Sequence, residues 1–332
     1  MTGPARAFWL RTPGVGEIRP VALREPGPGE VRVRTTRSGV SRGTEALVFR
    51  GGVPADQYAA MRAPFQEGEF PAPVKYGYLS VGVIDDGPAN LRGRRVFCLH
   101  PHQSAYVVPT TAVVPIPDDV PDDRAVLAGT VETAINALWD VPPLIGDRVA
   151  VVGAGMVGLC LARILVGIPG VHVTVVDVDP QRETAARALG ADFAHPADAP
   201  GDRDLVVHAS ATGAGLQLSL DLLTAEGVVL DVSWYGDADV TLRLGGAFHS
   251  RRLSIREPGR HHRASPPHGA HDAATPRPRP APAARPGVRR PAHRQFILRR
   301  PARGHAAAGL RGAPGAVPHD HLPAGGAVTC SA

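Results

Sequence analysis

The 332-residue chain is predicted to be an α/β protein, a doubly wound parallel sheet preceded by a smaller β-rich unit. Three observations predict it. Between Asp147 and Trp234 short apolar runs alternate with helical patterns, as in a parallel sheet covered on both faces. A glycine-rich turn joins the first of these runs to its helix. Before Asp122 the chain consists instead of period-two runs broken by Gly and Pro. The expected divisions are a β-rich unit over 1–120, an α/β unit over 121–256 and a tail over 257–332.

In the first unit, GEVRVRT (Gly29–Thr35) alternates apolar and polar residues after the turn EPGPGE and predicts a strand. YLSVGVI and GRRVFCL read the same way, and HQSAYVVPTTAVVPIPDDVP gives two more short strands closed by prolines. From Asp122, DDRAVLAGTVETAINALW has helical spacing and an acidic first turn, which suits the helix dipole. DRVAVVGAGMVGLCLARILVGIPGVHVTVVDVD then reads as strand, glycine turn, helix and second buried strand. ETAARALGA predicts a helix, DLVVHAS a strand, LQLSLDLLTAEG a helix and VVLDVSW a strand.

Charge separates the parts. Residues 1–256 hold 24 Arg/Lys and 28 Asp/Glu, a net of −4, and residues 257–332 hold 12 Arg and 3 acids, a net of +9, which together give the overall +5. The basic character belongs to the tail, and the body is mildly acidic like an ordinary enzyme. Cys98, Cys160 and Cys330 have no paired or CxxC spacing, which excludes a disulfide scaffold and a multi-cysteine zinc cluster. No apolar run has the length of a membrane span and the N-terminus lacks a signal-peptide core, so a cytoplasmic location is expected.

VAVVGAGMVGLC carries GxGxxG at Gly153, Gly155 and Gly158, after an apolar strand and at the opening of a helix. That context is what a Rossmann-type dinucleotide site requires. Gly153 permits the tight turn, Gly155 lets the backbone approach a pyrophosphate, and Gly158 lets helix and strand pack closely. The first helical residues, Met156 and Val157, present N–H groups to phosphates. Asp177 ends the second strand, nineteen residues past Gly158. A carboxylate there accepts ribose hydroxyls and repels a 2′-phosphate, which points to NAD.

SGVSRGTEALVFRGG, PVKYGYLSVGVI, GDRVAVVGAGMVG and FHSRRLSIR together resemble the medium-chain dehydrogenase/reductase superfamily, the zinc alcohol dehydrogenase-like proteins. The SGVSRGTE form is similar to a subgroup that includes bacteriochlorophyllide dehydrogenase-like proteins. The resemblance covers 1–256 and implies a GroES-like β-rich domain, a Rossmann domain and hydride transfer between nicotinamide and an alcohol or carbonyl substrate. Zinc-dependent members place metal ligands at positions where this chain has Ser41 and Tyr78, and near Gly129, where it has no thiolate, although Glu132 lies about one helical turn on. Hydroxyls are poor substitutes for thiolate and imidazole, so a zinc-free member with no bound metal is expected. The oxyanion and its proton then need another partner, and the candidates near the old metal position are Ser41, Glu45, Lys75 and Tyr78. Lys75 stands out as the only lysine among 36 basic residues, although it reads equally well as a surface residue.

His100 and His102 in CLHPHQ, at spacing two, would share one face of a strand and could ligate a metal or line a pocket; no metal is predicted for want of a third ligand. Family geometry implies Ser233 and Tyr235 near the nicotinamide. The expected partner is a small-molecule substrate, with neither nucleic acid nor membrane; the family implies a homodimer.

The tail changes language. Residues 257–332 contain 13 prolines and few large apolar residues, a composition that predicts disorder. With synonymous codons chosen freely, Leu298–Ala313 read one base later gives FDDLPEVMRRLASGA, an amphipathic segment of the kind the family carries near its C-terminus. A frameshift near codon 257 is the expectation. It leaves a second functional reading open, a dinucleotide-binding chain with an incomplete catalytic fold.

Overall fold

A computed structural model describes residues 4–259. The expectations of disorder and of a shifted reading frame fall on a tail that lies, from residue 260, outside the described residues.

The β-rich part begins with a hairpin of β1 (Ala5–Thr12) and β2 (Val15–Val21), turned at Gly14 with φ +79°. β3 (Glu30–Ser38) leads to α1 (Thr44–Arg50), then to β4 (Glu67–Gly68), β5 (Val74–Lys75), β6 (Ser80–Asp86), β7 (Arg95–Cys98), β8 (Ala105–Pro109) and β9 (Val113–Pro115). These strands make two antiparallel sheets, ordered β2-β1-β5-β4 and β8-β3-β6-β7-β9. The alternation in β3 turns Val31 and Val33 inward against Ile84, Val96, Tyr106 and Val108.

The helix expected over Asp122–Trp139 is two helices, α2 (Asp122–Ala125) and α3 (Ala128–Asp140). Asp122 accepts hydrogen bonds from Thr36 Oγ1 (2.6 Å) and Arg95 Nε (2.9 Å), which fastens α2 to the β-rich part. α3 packs instead on α4 (Met156–Val166), so the axis is redirected between them.

β10 (Arg148–Val152), β11 (His172–Val176), α5 (Arg182–Ala188), β12 (Asp192–Ala194), β13 (Arg203–His208), α6 (Gly213–Asp221), β14 (Leu223–Asp231), α7 (Ala247–Ser250) and β15 (Ser254–Arg256) complete the described chain. The parallel sheet runs β12-β11-β10-β13-β14-β15. Successive residues of β10 serve opposite faces, as strand geometry dictates. Val149 and Val151 pack with α3, α4 and Ala186 of α5, while Ala150 and Val152 pack with Leu216 and Leu220 of α6. Strand order reverses between β10 and β13, which opens a crevice at their C-terminal ends.

α6 stops at Asp221, six residues before the end expected for it. Leu223 has no exposed surface and already belongs to β14 beside Arg203. Glu226 at φ +62° then shifts the register before Val228–Asp231 pairs with β13. After β15, the Gly259 N–H donates to Asp140 Oδ2 at 2.6 Å.

Leu161 of α4 is fully buried between helix and sheet. Leu161→Ala is expected to cost about 2–5 kcal/mol of stability, measured by urea denaturation.

Candidate active site

The dinucleotide motif adopts the geometry its glycines were expected to allow. Gly153 has φ +107°, and a Cβ there would stand 2.8 Å from the Ser210 nitrogen. A Cβ on Gly158 would stand 1.9 Å from the Gly153 oxygen, so α4 lies directly against the turn. Gly155 faces open space at the N-cap of α4, where Met156 and Val157 begin the helix. Asp177 Oδ2 accepts the Ala154 N–H at 2.6 Å and Oδ1 accepts the Asp179 N–H at 2.8 Å. These bonds aim a half-buried carboxylate over the turn, and each oxygen keeps a lone pair for a further donor.

Ser233 and Tyr235 turn toward a buried pair at the ends of β13 and β14. His208 Nδ1 lies 2.9 Å from Asp231 Oδ1, while the Asp231 carboxylate also accepts from Tyr235 Oη (2.8 Å) and the Ser233 N–H (3.0 Å). Burial opposes the charge of Asp231, but its hydrogen bonds to His208 and Tyr235 hold its pKa below the usual value. Burial and the same carboxylate raise the Tyr235 phenol. Ser210 Oγ sits 2.8 Å from His208 Nε2, which completes a Ser–His–Asp order. That hydroxyl is tucked under α6, because a Cβ on Gly215 would stand 2.1 Å from it. The array is therefore a brace for the strand ends.

A second polar cluster forms where α1 meets the chain after β5. The Ser41 N–H donates to Glu45 Oε1 at 2.7 Å, and Glu45 Oε2 lies 2.5 Å from His102 Nε2. His102 Nδ1 lies 2.6 Å from Ser38 Oγ. Tyr78 shares hydrogen bonds with the side chains of Ser41 and Thr44; burial first, then the charge of Glu45, raises its pKa against those bonds. The Tyr78 phenol thus stays a hydrogen-bond donor at neutral pH. Gly77, at φ +127°, lets the imidazole approach, since a Cβ there would stand 2.9 Å from it.

The loop after β14 reaches this cluster's helix. A Cβ on Gly236 would stand 2.5 Å from Leu47 of α1, and Trp234 packs against the apolar cluster that includes Val48 and Tyr76. Met156 at the start of α4 and Tyr78 pack against a second apolar cluster that they share, which brings the glycine turn's helix and the second polar cluster to one region.

No family model matches the chain. Over 112 residues it is 36% identical to the L-threonine 3-dehydrogenase of Anaeromyxobacter sp. (strain K), a stretch covering 31% of this chain and 32% of that protein. The chain thus matches about a third of the length of that curated relative. An alcohol dehydrogenase from Escherichia coli CFT073, complexed with NADH, superposes with a TM-score of 0.63 at 20% identity, covering 77% of this chain and 84% of that one. A zinc-binding dehydrogenase from Sinorhizobium meliloti 1021, bound to NADP, superposes with a TM-score of 0.64 at 17% identity and the same coverages. The chain shares the fold of these two dehydrogenases.

One of these neighbours is named a zinc-binding dehydrogenase, and the side chains around Ser41 and Tyr78 can be tested against that metal. A catalytic zinc takes three protein ligands from Cys, His, Asp or Glu. Here Ser41 and Tyr78 offer hydroxyls, while Glu45 and His102 are bonded to each other. Among the described residues no group of three His, Cys, Asp or Glu side chains is placed to hold a metal ion. The donor set does not fit zinc.

Ser41, Glu45 and Tyr78 are brought together, but Lys75 points elsewhere. It is 2% exposed, which corrects its reading as a surface residue, and its Nζ lies 2.5 Å from Glu67 Oε1 and 2.7 Å from Gln103 Oε1. The two histidines do not share a face either. β7 ends at Cys98, so the alternation that paired them does not apply. His100 stacks on Tyr106 at 3.7 Å, and burial pushes its pKa down to about 3, whereas His102 turns to Glu45. Cys98 is no nucleophile, since burial pushes its thiol up to about 12. Sequence reasoning missed Ser38, His208 and Asp231. The signal for the last two was a polar residue closing each of two apolar runs, VVH and VLD.

Lys75→Met is expected to lower stability by about 1–3 kcal/mol through the lost hydrogen bonds, with dinucleotide affinity unchanged. Thermal melts and fluorescence titration with NADH read the two effects separately.

Proposed function

We propose that the chain is a zinc-independent, NAD-dependent oxidoreductase acting on an alcohol/carbonyl pair. The observation that carries this reading is that Met156, at the start of the helix after the glycine turn, packs on the same apolar cluster as Tyr78 of the Ser41–Glu45–Tyr78–His102 group. Gly153, Gly155, Gly158 and the first turn of α4 would hold the pyrophosphate, and Asp177 the adenosine ribose. A nicotinamide held by these residues would supply the donor or acceptor of a hydride for the substrate carbon. Tyr78 and Ser41 would donate hydrogen bonds to the substrate oxygen, the task zinc performs elsewhere. Glu45 would take or return the proton.

The named relatives support a dehydrogenase, and the NADH and NADP in two structural neighbours support a nicotinamide cofactor. The preference for NAD rests on Asp177, whose charge opposes a 2′-phosphate. Among the described residues no helix is long and apolar enough to cross a membrane. A homodimer remains the family's implication. A second reading, a dinucleotide-binding chain without turnover, is favoured by the composition of 257–332.

The test is NADH formation at 340 nm with a panel of alcohols, with and without a strong zinc chelator. Turnover that the chelator leaves intact is expected; turnover abolished by the chelator and restored by zinc defeats zinc independence. NADH binding with no turnover over the panel favours the second reading. Asp177→Ser should shift the kcat/KM ratio toward NADP by at least about tenfold, the effect of roughly 1.4 kcal/mol of relieved repulsion.

A further inference from the structure

We propose that His102 holds the reaction's exchangeable proton, with Glu45 passing it to or from the substrate oxygen and Ser38 satisfying the imidazole in both of its charge states. The proposal rests on the oxidoreductase reading above and adds two residues to which that reading assigns no role of their own.

The geometry around His102 gives Nδ1 a partner in either state. When the ring is charged, Nε2–H donates to Glu45 Oε2 and Nδ1–H donates to Ser38 Oγ. The Ser38 hydrogen then points to the Leu79 carbonyl, 3.3 Å away. Loss of the Nε2 proton leaves the hydrogen on Nδ1, where it still donates to Ser38 Oγ, and leaves Nε2 bare beside Glu45 Oε2 to take up the next proton. Ser38 thus holds the ring in one orientation while Nε2 cycles.

The surroundings favour the charged ring. Facing it are Glu45 from α1, Ser38 from β3, Phe8 from β1 with ring centres 6.5 Å apart, the backbone of Gly77, and His100 two residues before it. Glu45 is the one anion among them. Burial disfavours the charge, but the field of Glu45 and its hydrogen bond outweigh it and raise the pKa of His102. The side chains of Glu45 and His102 keep 10% and 15% of their surface exposed, so the pair touches solvent and crevice.

The balance is simple. In reduction, the hydride brings two electrons to the carbonyl carbon, and the C=O π pair moves onto oxygen. The Nε2 proton moves to Glu45 Oε2 and from that carboxyl to the oxygen, leaving a neutral imidazole that solvent recharges. Oxidation runs in reverse and requires a neutral ring at the start. Reduction should therefore weaken as pH rises through the His102 pKa, and oxidation should strengthen through the same range.

The decisive experiment follows the His102 imidazole by NMR in the full chain without substrate, alongside kcat–pH profiles in both directions. The ring is expected to titrate above the ordinary value of about 6.5. Its titration should fall in Glu45→Gln, fall in Ser38→Ala, and recover in Ser38→Thr. His102→Gln, whose amide can still donate to Glu45, should lower kcat by about 10²–10⁴-fold and erase the shared pH limb, with melting temperature and NADH affinity near those of the parent. An imidazole that titrates at the ordinary value overturns the pair. A His102→Gln variant that keeps the parent's kcat and pH profile overturns its role. Failure of the parent to turn over any alcohol or ketone defeats the oxidoreductase reading and the role together, while the titration still decides whether the pair holds a proton.

Discussion

A methyl group on Gly158 would stand 1.9 Å from the Gly153 carbonyl oxygen, and the architecture of the crevice depends on that close approach. Because α4 lies so near the turn that launches it, its first N–H groups open directly above the end of β10. The same proximity lets Asp177, from the neighbouring strand, take the Ala154 N–H and fix the turn from the other side. Burial on both faces of the sheet supplies the cohesion, with α3, α4 and α5 on one side and α6 on the other. The glycines supply no such cohesion; their contribution is the space for a charged ligand next to an apolar core.

Two polar pairs differ in how their imidazoles meet water. His208 is fully buried and its ring stacks near Tyr235, while its partner Asp231 keeps 9% of its side-chain surface exposed. This pair ties β13 to β14 and orients the loop that carries Trp234. The Glu45–His102 pair is open at its edge. In a low-dielectric setting a satisfied polar network is rigid, whereas one that reaches solvent can exchange protons. Gly236 lies against Leu47 and Trp234 against the apolar cluster that includes Val48 and Tyr76, so the loop held by the first pair reaches the helix that carries Glu45.

Much of the α/β part was legible in the sequence because its signals are local. Apolar runs, glycine spacing and one terminal carboxylate suffice to write β10, α4, β11 and Asp177. Where the sequence reading failed, distant packing had decided the outcome. The helix from Asp122 broke because Asp122 is held by Thr36 and Arg95, far away in sequence. The two histidines separated because β7 ends before them, and alternation holds only while the strand lasts. Ser41, Glu45 and Tyr78 were reached through family likeness. Ser38 was invisible to it, since a serine at a strand end announces nothing until an imidazole is laid against it.

Lys75 has one more consequence. It is the only side-chain amine in 332 residues, and it is held 2% exposed between Glu67 and Gln103. Acylating reagents and lysine-specific proteases therefore meet one side-chain target, which the closed β4–β5 hairpin conceals. Modification of that amine would report the opening of this hairpin, a reporter that comes with the arginine-rich composition and needs no added label.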